Sequence, residues 1–212
     1  MHQCAHFSAE PRACHAAAIR QIVRHLIGTQ DQGLILSPTR HEFVVWVDAD
    51  FAGNWNKDTS AVDVMTAKSR SGYTVTYAGC PIMWASKLQT EVALSTTEAE
   101  YISLSQSLRD TIPLMRLFDE VSETIDSRVI SAPKVRCTVF EDNSGALELA
   151  KVPKMRPRTK HINIKYHHFR EHVRLGLVTV ESVKTDAQVA DIFTKPLPLV
   201  PFKRHRLQLQ LW

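Results

Sequence analysis

The chain has 212 residues, 44% of them hydrophobic and 23% charged, with a net charge of +4. That length accommodates one well-filled core with room for an appendage, and the composition excludes a disordered or collagen-like chain. No apolar run approaches the roughly 20 residues of a membrane-spanning helix, and the opening MHQCAHFSAEPRACH lacks the apolar centre of a signal peptide, so the expectation is a soluble, cytoplasmic protein with no membrane partner.

Ala16, Ile19, Ile22, Val23 and Leu26 recur at helical spacing and predict a helix over 9–28, stopped at Gly28 and the polar residues after it. Phe43–Val47 is a continuous apolar run, the pattern of a strand covered on both faces. Residues 53–70 read as a polar loop. Gly72–Tyr77 and Ile82–Ala85 are short strands, with Gly79-Cys80-Pro81 as their hairpin turn. Ser95 or Thr96 opens a long helix to about Val121, with an apolar stripe of Tyr101, Leu104, Leu108, Ile112, Met115 and Phe118. After a polar connection over 122–134 come a strand at Arg136–Phe140 and a short helix at Ser144–Ala150. A basic loop then leads into a helix near 163–175, stopped by Gly176. Leu177–Val183 is a fifth strand, and Thr185 begins a last helix with Gln188 as its capping-box partner.

Three consecutive antiparallel strands followed by β-α units imply an α/β fold, a mixed five-stranded sheet flanked by helices. In such sheets, sites lie beyond the carboxyl ends of central strands. The run VVWVDADFAG ends a strand on two aspartates, Asp48 and Asp50, and buried charges need partners. Asp142 closes the fourth strand, in RCTVFEDNSG. If the two strands are neighbours, Asp48 and Asp142 share one edge. Glu100 lies in the first turns of the long helix, and Asp191 in ADIFTKPL. Four acids gathered in one crevice would repel each other unless cations bridged them, and hard divalent ions take oxygen ligands.

Each acid also has a plainer reading. Glu98 and Glu100 are two residues apart on a helix, about 200° of rotation, so both cannot face the site. Asp48 and Asp50 share a strand face, so Asp50 could assist or cap a turn. Asp142 could be a helix-capping acid and Asp191 an ordinary acid near a helix start.

The segments WVDADFAG, SRSGYTVTYAGCPIMWASKLQTEVALSTTEAEYISL, EDNSGALELA, RPRTKHINIKYHHFRE and ADIFTKPL, in this order, cover most of residues 12–198. With them the chain resembles the ribonuclease H region of copia-type retrotransposon polyproteins. The resemblance implies a ribonuclease H-like fold and a divalent-metal-dependent endonuclease that hydrolyses the RNA strand of RNA–DNA hybrids. It places the metal-binding, catalytic acids on Asp48, Glu100, Asp142 and Asp191, with Mg²⁺ as the ion and Mn²⁺ as a substitute. HQCAHFSAEPRACHAAAIRQIVRHLIGT resembles the end of the preceding reverse transcriptase. Residues 1–41 are therefore expected as a helical remnant of that enzyme, 42–198 as the ribonuclease H-like domain and 199–212 as a tail. The polymerase palm and fingers are absent, so Met1 is expected to be an arbitrary start within a longer frame. A virus-like particle in the cytoplasm is one expected setting. Two features depart from the pattern. SVKTDAQVAD lacks the histidine that cellular ribonucleases H carry before the last aspartate, and the 53–70 loop is longer than usual. The competing reading is a non-catalytic nucleic-acid-binding relic; a weaker third is an enzyme of the same fold acting on DNA. Four intact acids favour the nuclease, and the missing polymerase favours the relic.

From Lys151 to Arg174 the net charge is +7, against −3 for all other residues together. Such a stripe suits a polyanion, and Arg156, Arg158, Lys160 and Lys165 are the candidate phosphate contacts. Hybrids are recognised by backbone shape and 2′-hydroxyls. His161, His167, His168 and His172 cluster here, but no cysteine or glutamate completes a zinc set, so packing or phosphate contact is expected of them. Cys4, Cys14, Cys80 and Cys137 include no CxxC pair, which argues against a zinc ribbon or a disulfide framework. Trp46 and Trp84 are expected in the core, which leaves Trp55, in a polar loop, as the better candidate of the three for stacking on a base.

Overall fold

The computed structural model describes residues 4–5, 7–58, 63–125, 135–151 and 167–210. Two compact units part between Ile35 and Leu36. The first contains helix α1, Ala13–Gly28. Its expected start at residue 9 moves to Ala13, where the Arg12 backbone N–H donates to His15 Nδ1 at 3.0 Å. None of its residues is buried, and Ile19, Val23, Leu26 and Ile27 are exposed.

The second unit holds the sheet: β1 Phe43–Asp50, β2 Arg70–Tyr77, β3 Cys80–Leu88, β4 Cys137–Glu141 and β5 Val178–Ser182. Their order is β3-β2-β1-β4-β5. β1 to β3 are antiparallel, and β4 and β5 run parallel to β1. The helices are α2 Thr96–Ile125, α3 Ser144–Lys151, α4 Arg170–Arg174, α5 Asp191–Thr194 and α6 Leu199–Gln210. This is the expected mixed five-stranded sheet flanked by helices. The stretch after residue 198, read as a tail, contains α6, with His205 and Leu209 buried.

Phe43, Val45, Val47 and Ala49 of β1 join the core with Tyr101, Leu104 and Leu108 of α2. Val44 and Trp46, on the opposite face, are only half-buried, so β1 is not equally covered on both faces as its continuous apolar run suggested. Trp46 instead stacks on Phe140 of β4, with ring centroids 4.4 Å apart. α2 starts where the Ser95 hydroxyl accepts from Glu98 N at 3.1 Å and Glu98 Oε2 accepts from Leu94 N at 2.7 Å. The capping pair is thus STTE at 95–98. The apolar stripe of α2 is buried through Met115, and the helix continues past Pro113 to Ile125.

Three expectations change. The hairpin turns at Ala78 and Gly79, whose φ angles are 53° and 81°. Two successive left-handed residues make the tight two-residue turn whose twist matches antiparallel strands. Pro81 lies inside β3, which tolerates it as the sheet edge, and the β2–β3 register shifts next to it. Trp84, also on that edge strand, is 55% exposed rather than in the core. The helix expected from Thr185 is a 3-10 turn, Thr185–Ala187, followed by the four-residue α5. Gln188 is not a capping partner. It is fully buried; its Nε2 donates to Phe140 O at 3.4 Å and its Oε1 accepts from Ala190 N at 3.3 Å. That amide ties the turn before α5 to the end of β4.

α5 lies on the sheet because Gly72 leaves room for it. A Cβ at Gly72 would stand 2.5 Å from Thr194 Cγ2 and 2.9 Å from Phe193 Cβ. Gly72 pairs with Asp48, so the helix rests beside that aspartate. Gly72→Ala should destabilise the protein by about 1–3 kcal/mol, the usual range for overpacking. Chemical denaturation of the variant and its parent measures this, and an unchanged midpoint would contradict the close approach.

Candidate active site

β1 and β4 are parallel neighbours whose last paired residues are Trp46 and Phe140. Asp48 and Asp142 each lie two residues further on, which puts both carboxylates at one end of the sheet. Glu100, one turn into α2, completes a group in which one oxygen from each of Asp48, Glu100 and Asp142 lies within 4.8 Å of the others. Among the described residues this is the one such cluster of three or more metal-competent side chains. Glu98, though also buried, is turned to the helix cap. The Asp50 carboxylate lies against Gly53, where a Cβ would fall 1.8 Å from its Oδ2, so it underlies the 51–54 turn.

Asp191, the first residue of α5, joins the group through a cation. Lys195 Nζ lies 3.0 Å from Asp191 Oδ1 and 3.5 Å from Asp48 Oδ1. Asp48 is further held by the Thr194 hydroxyl, which donates to its Oδ2, and by Ser103 Oγ, which donates to its backbone carbonyl at 2.8 Å. These contacts fix a residue that is buried.

Burial pushes the Asp48 carboxyl up to about 6, against the pull of Lys195 and the Thr194 hydroxyl; Asp191 and Asp142 push it further. Burial raises Asp191 as well, with Lys195 opposing. Glu100 is raised strongly, by burial and then by Glu141, Asp48 and Asp142. Burial alone would lower Lys195, but Asp48 and Asp191 hold it above its ordinary value. The site is thus a cluster of acids in a low-dielectric corner, Asp48, Glu100 and Asp191 each raised by burial and by neighbouring acids, with the Lys195 ammonium as counter-charge among the described residues.

The sequence reading missed Lys195 and Glu141. Glu141 is fully buried at the end of β4; its Oε1 accepts from Asn143 N at 2.9 Å. Burial also raises its carboxyl. A signal existed: Cys137, Val139 and Glu141 alternate with period two, so Glu141 falls on the buried face of its strand. Lys195 stands in the quoted ADIFTKPL, four residues after Asp191, but its second partner, Asp48, is 147 positions away.

Arg156, Arg158, Lys160, Lys165 and His161 lie outside the described residues. The other three histidines each contact α2. His167 Nδ1 is 2.6 Å from Tyr101 Oη, His168 Nε2 is 3.1 Å from Ser105 O, and His172 Nε2 is 3.4 Å from Arg116 Nη2. Burial, and then Arg170, lower His167 to about 4, which keeps it neutral at physiological pH. All three pack against α2. Trp55 is 54% exposed, in the loop after β1.

The donor set suits a hard divalent cation. It is all oxygen, and Glu100 Oε2 and Glu141 Oε2 are buried with no hydrogen-bond partner among the described residues. Asp48, Glu100 and Asp142 could hold such an ion, with Asp191 beside them.

A mixed sheet with acids gathered at the ends of its two central parallel strands defines the class, an α/β protein with a carboxylate centre. The chain is 34% identical over 197 residues to the "Retrovirus-related Pol polyprotein from transposon TNT 1-94" of Nicotiana tabacum, a match covering 93% of this chain and 14% of that protein. It is 34% identical over 198 residues to the corresponding polyprotein from transposon RE1 of Arabidopsis thaliana, covering 93% and 12%. The chain is thus a homologue of a segment of retrovirus-related transposon Pol polyproteins, and it spans only about one-seventh to one-eighth of the length of these two relatives. No family model matches it. Among solved structures, that of LC11-RNase H1, isolated from compost by a metagenomic approach, is 15% identical with a TM-score of 0.45, covering 73% of this chain and 94% of that one.

The raised carboxyls set a pH dependence. Asp48 binds its proton more tightly folded than unfolded, so its contribution to stability is full at acid pH and is lost as pH rises from 3.8 to about 6. In chelator, Asp48→Asn should flatten that part of the stability profile and raise stability near neutral pH by on the order of 1 kcal/mol. Thermal melts across the window measure both effects, and an Asn variant less stable at neutral pH would contradict the repulsion.

Proposed function

We propose that this chain is a divalent-metal-dependent endonuclease that hydrolyses the RNA strand of RNA–DNA hybrids. The observation that carries the reading is the approach of Asp48, Glu100 and Asp142 oxygens to within 4.8 Å of one another at the ends of adjacent parallel strands. Asp48, Glu100, Asp142 and Asp191 would hold the ions, Mg²⁺ or Mn²⁺. Bound there, a divalent cation lowers the pKa of a water and neutralises charge developing on a leaving phosphodiester oxygen.

The chain's own residues supply position and field. Thr194 and Ser103 orient Asp48 from its carboxylate and backbone sides, so it has little freedom to lose when an ion binds. The start of α2 is held by the Ser95–Glu98 cap, which keeps Glu100 in register with β1 and β4. Without cations the carboxylates repel the phosphates of a nucleic acid, which makes productive binding dependent on metal. Arg156, Arg158, Lys160 and Lys165 would contact the hybrid backbone and supply most of the salt-sensitive affinity. The polyprotein context of the relatives supports a partnership with reverse-transcription products.

The deciding experiment is cleavage of an end-labelled RNA–DNA hybrid, compared with duplex DNA and duplex RNA, with Mg²⁺, with Mn²⁺ and in chelator. Cleavage confined to the RNA of the hybrid and dependent on metal is expected. Glu100→Gln should reduce it by at least about 100-fold, while Glu98→Gln should stay within a few-fold unless it unfolds α2. The reverse pattern would move the site to Glu98. A folded parent inert on every substrate with both ions would leave the relic reading.

Charge reversal at Arg156 and Arg158 should weaken hybrid binding and reduce the slope of log affinity against log salt by about two. An unchanged slope would remove these residues from the interface.

A further inference from the structure

Lys195 is the first residue after α5, in extended conformation at φ −130° and ψ 154°. Pro196 follows it, and a residue before proline is steered away from helix. Its ammonium nevertheless stays beside the first turn of α5, 3.0 Å from Asp191 Oδ1 and 3.5 Å from Asp48 Oδ1. The two carboxylates differ from their cation in access. The Asp48 side chain is 2% exposed and that of Asp191 11%, whereas that of Lys195 is 33% exposed. The acids are fixed to a strand and a helix start, while the lysine is a point charge on a flexible four-carbon stem with a way out to water.

We infer that the Lys195 ammonium is a built-in counter-cation of this centre, spanning Asp48 and Asp191 in the metal-free protein and yielding its place when a divalent ion binds. The inference rests on the reading of these acids as metal ligands. It goes further by assigning Lys195 a definite effect on metal affinity. An ammonium 3.0 to 3.5 Å from two carboxylates neutralises part of the charge that would draw an ion in. It therefore stabilises the empty centre and weakens ion binding. An ordinary structural ion pair behaves otherwise: its loss loosens the site, so metal-free stability and metal affinity fall together. A competing counter-cation moves them in opposite directions.

The test uses the full chain and Mn²⁺ alone, by calorimetric titration, with thermal melts in chelator. Lys195→Met should melt lower without metal and bind Mn²⁺ about five-fold more tightly, the scale of one partly screened ion pair. Lys195→Arg, which keeps the charge, should match the parent in both. If Lys195→Met does not fold, Lys195→Gln carries the same comparison. A parent that binds Mn²⁺ while the neutral variant binds it equally or more weakly overturns the inference and leaves the metal centre standing. Binding by neither overturns both. Binding by the neutral variant alone supports the inference in its strongest form.

Discussion

Mutual repulsion of buried carboxylates is the constraint on which the site region depends. Asp48, Glu100 and Asp142 converge within 4.8 Å, and Glu141 is fully buried in the strand leading to Asp142. A chain selected only for stability would not put so many acids in one low-dielectric corner. The surrounding structure is arranged to hold them there. Ser103 grips the Asp48 backbone, Thr194 its carboxylate, and Lys195 bridges it to Asp191.

That arrangement explains irregularities elsewhere in the fold. α5 has only four residues, yet it carries Asp191, Thr194 and then Lys195 to the sheet. A buried glutamine amide joins the turn before it to the end of β4, and a glycine in β2 makes room for it. Gly145 plays the same part for α3, since a Cβ there would stand 2.6 Å from Thr97 Oγ1 near the start of α2. The acids are thus placed by close backbone approaches at two glycines, both on elements next to the site.

The histidine-rich stretch acts at a distance from the acids. His167 meets Tyr101, which Arg170 also reaches through its Nε at 3.2 Å, while Arg170 Nη2 donates to Leu149 O at 2.6 Å. Tyr101 is fully buried and directly follows Glu100. The network ties α2, α3 and α4 together one residue from a site carboxylate. It therefore stiffens the helix that presents Glu100 without contributing a charge to the centre.

Much of this was legible in the sequence. Short apolar, β-branched runs between turn residues located the five strands and a 3.6-residue apolar stripe the long helix, because burial leaves its mark residue by residue. The choice of Glu100 over Glu98 was narrowed to one of two by helical rotation, and resemblance favoured the residue that now faces Asp48 and Asp142. What local pattern could not reach was contact between distant segments. Thr185 and Gln188 matched a capping box as well as Ser95 and Glu98 did, but only the second pair caps a helix. Gln188 is instead drawn to a β4 carbonyl 48 positions away. Trp84 had a strand sequence but lies on an edge strand, a fact of sheet order and not of composition. Lys195 read as one more charge until α5 docked at Gly72 and brought its ammonium to Asp48. The sequence by itself determined most of the elements and offered the candidate acids, since both follow from residue type and spacing, and resemblance to a known family narrowed the acids to four. Only the tertiary structure decided which charges face one another, because electrostatic partnership depends on distance in space.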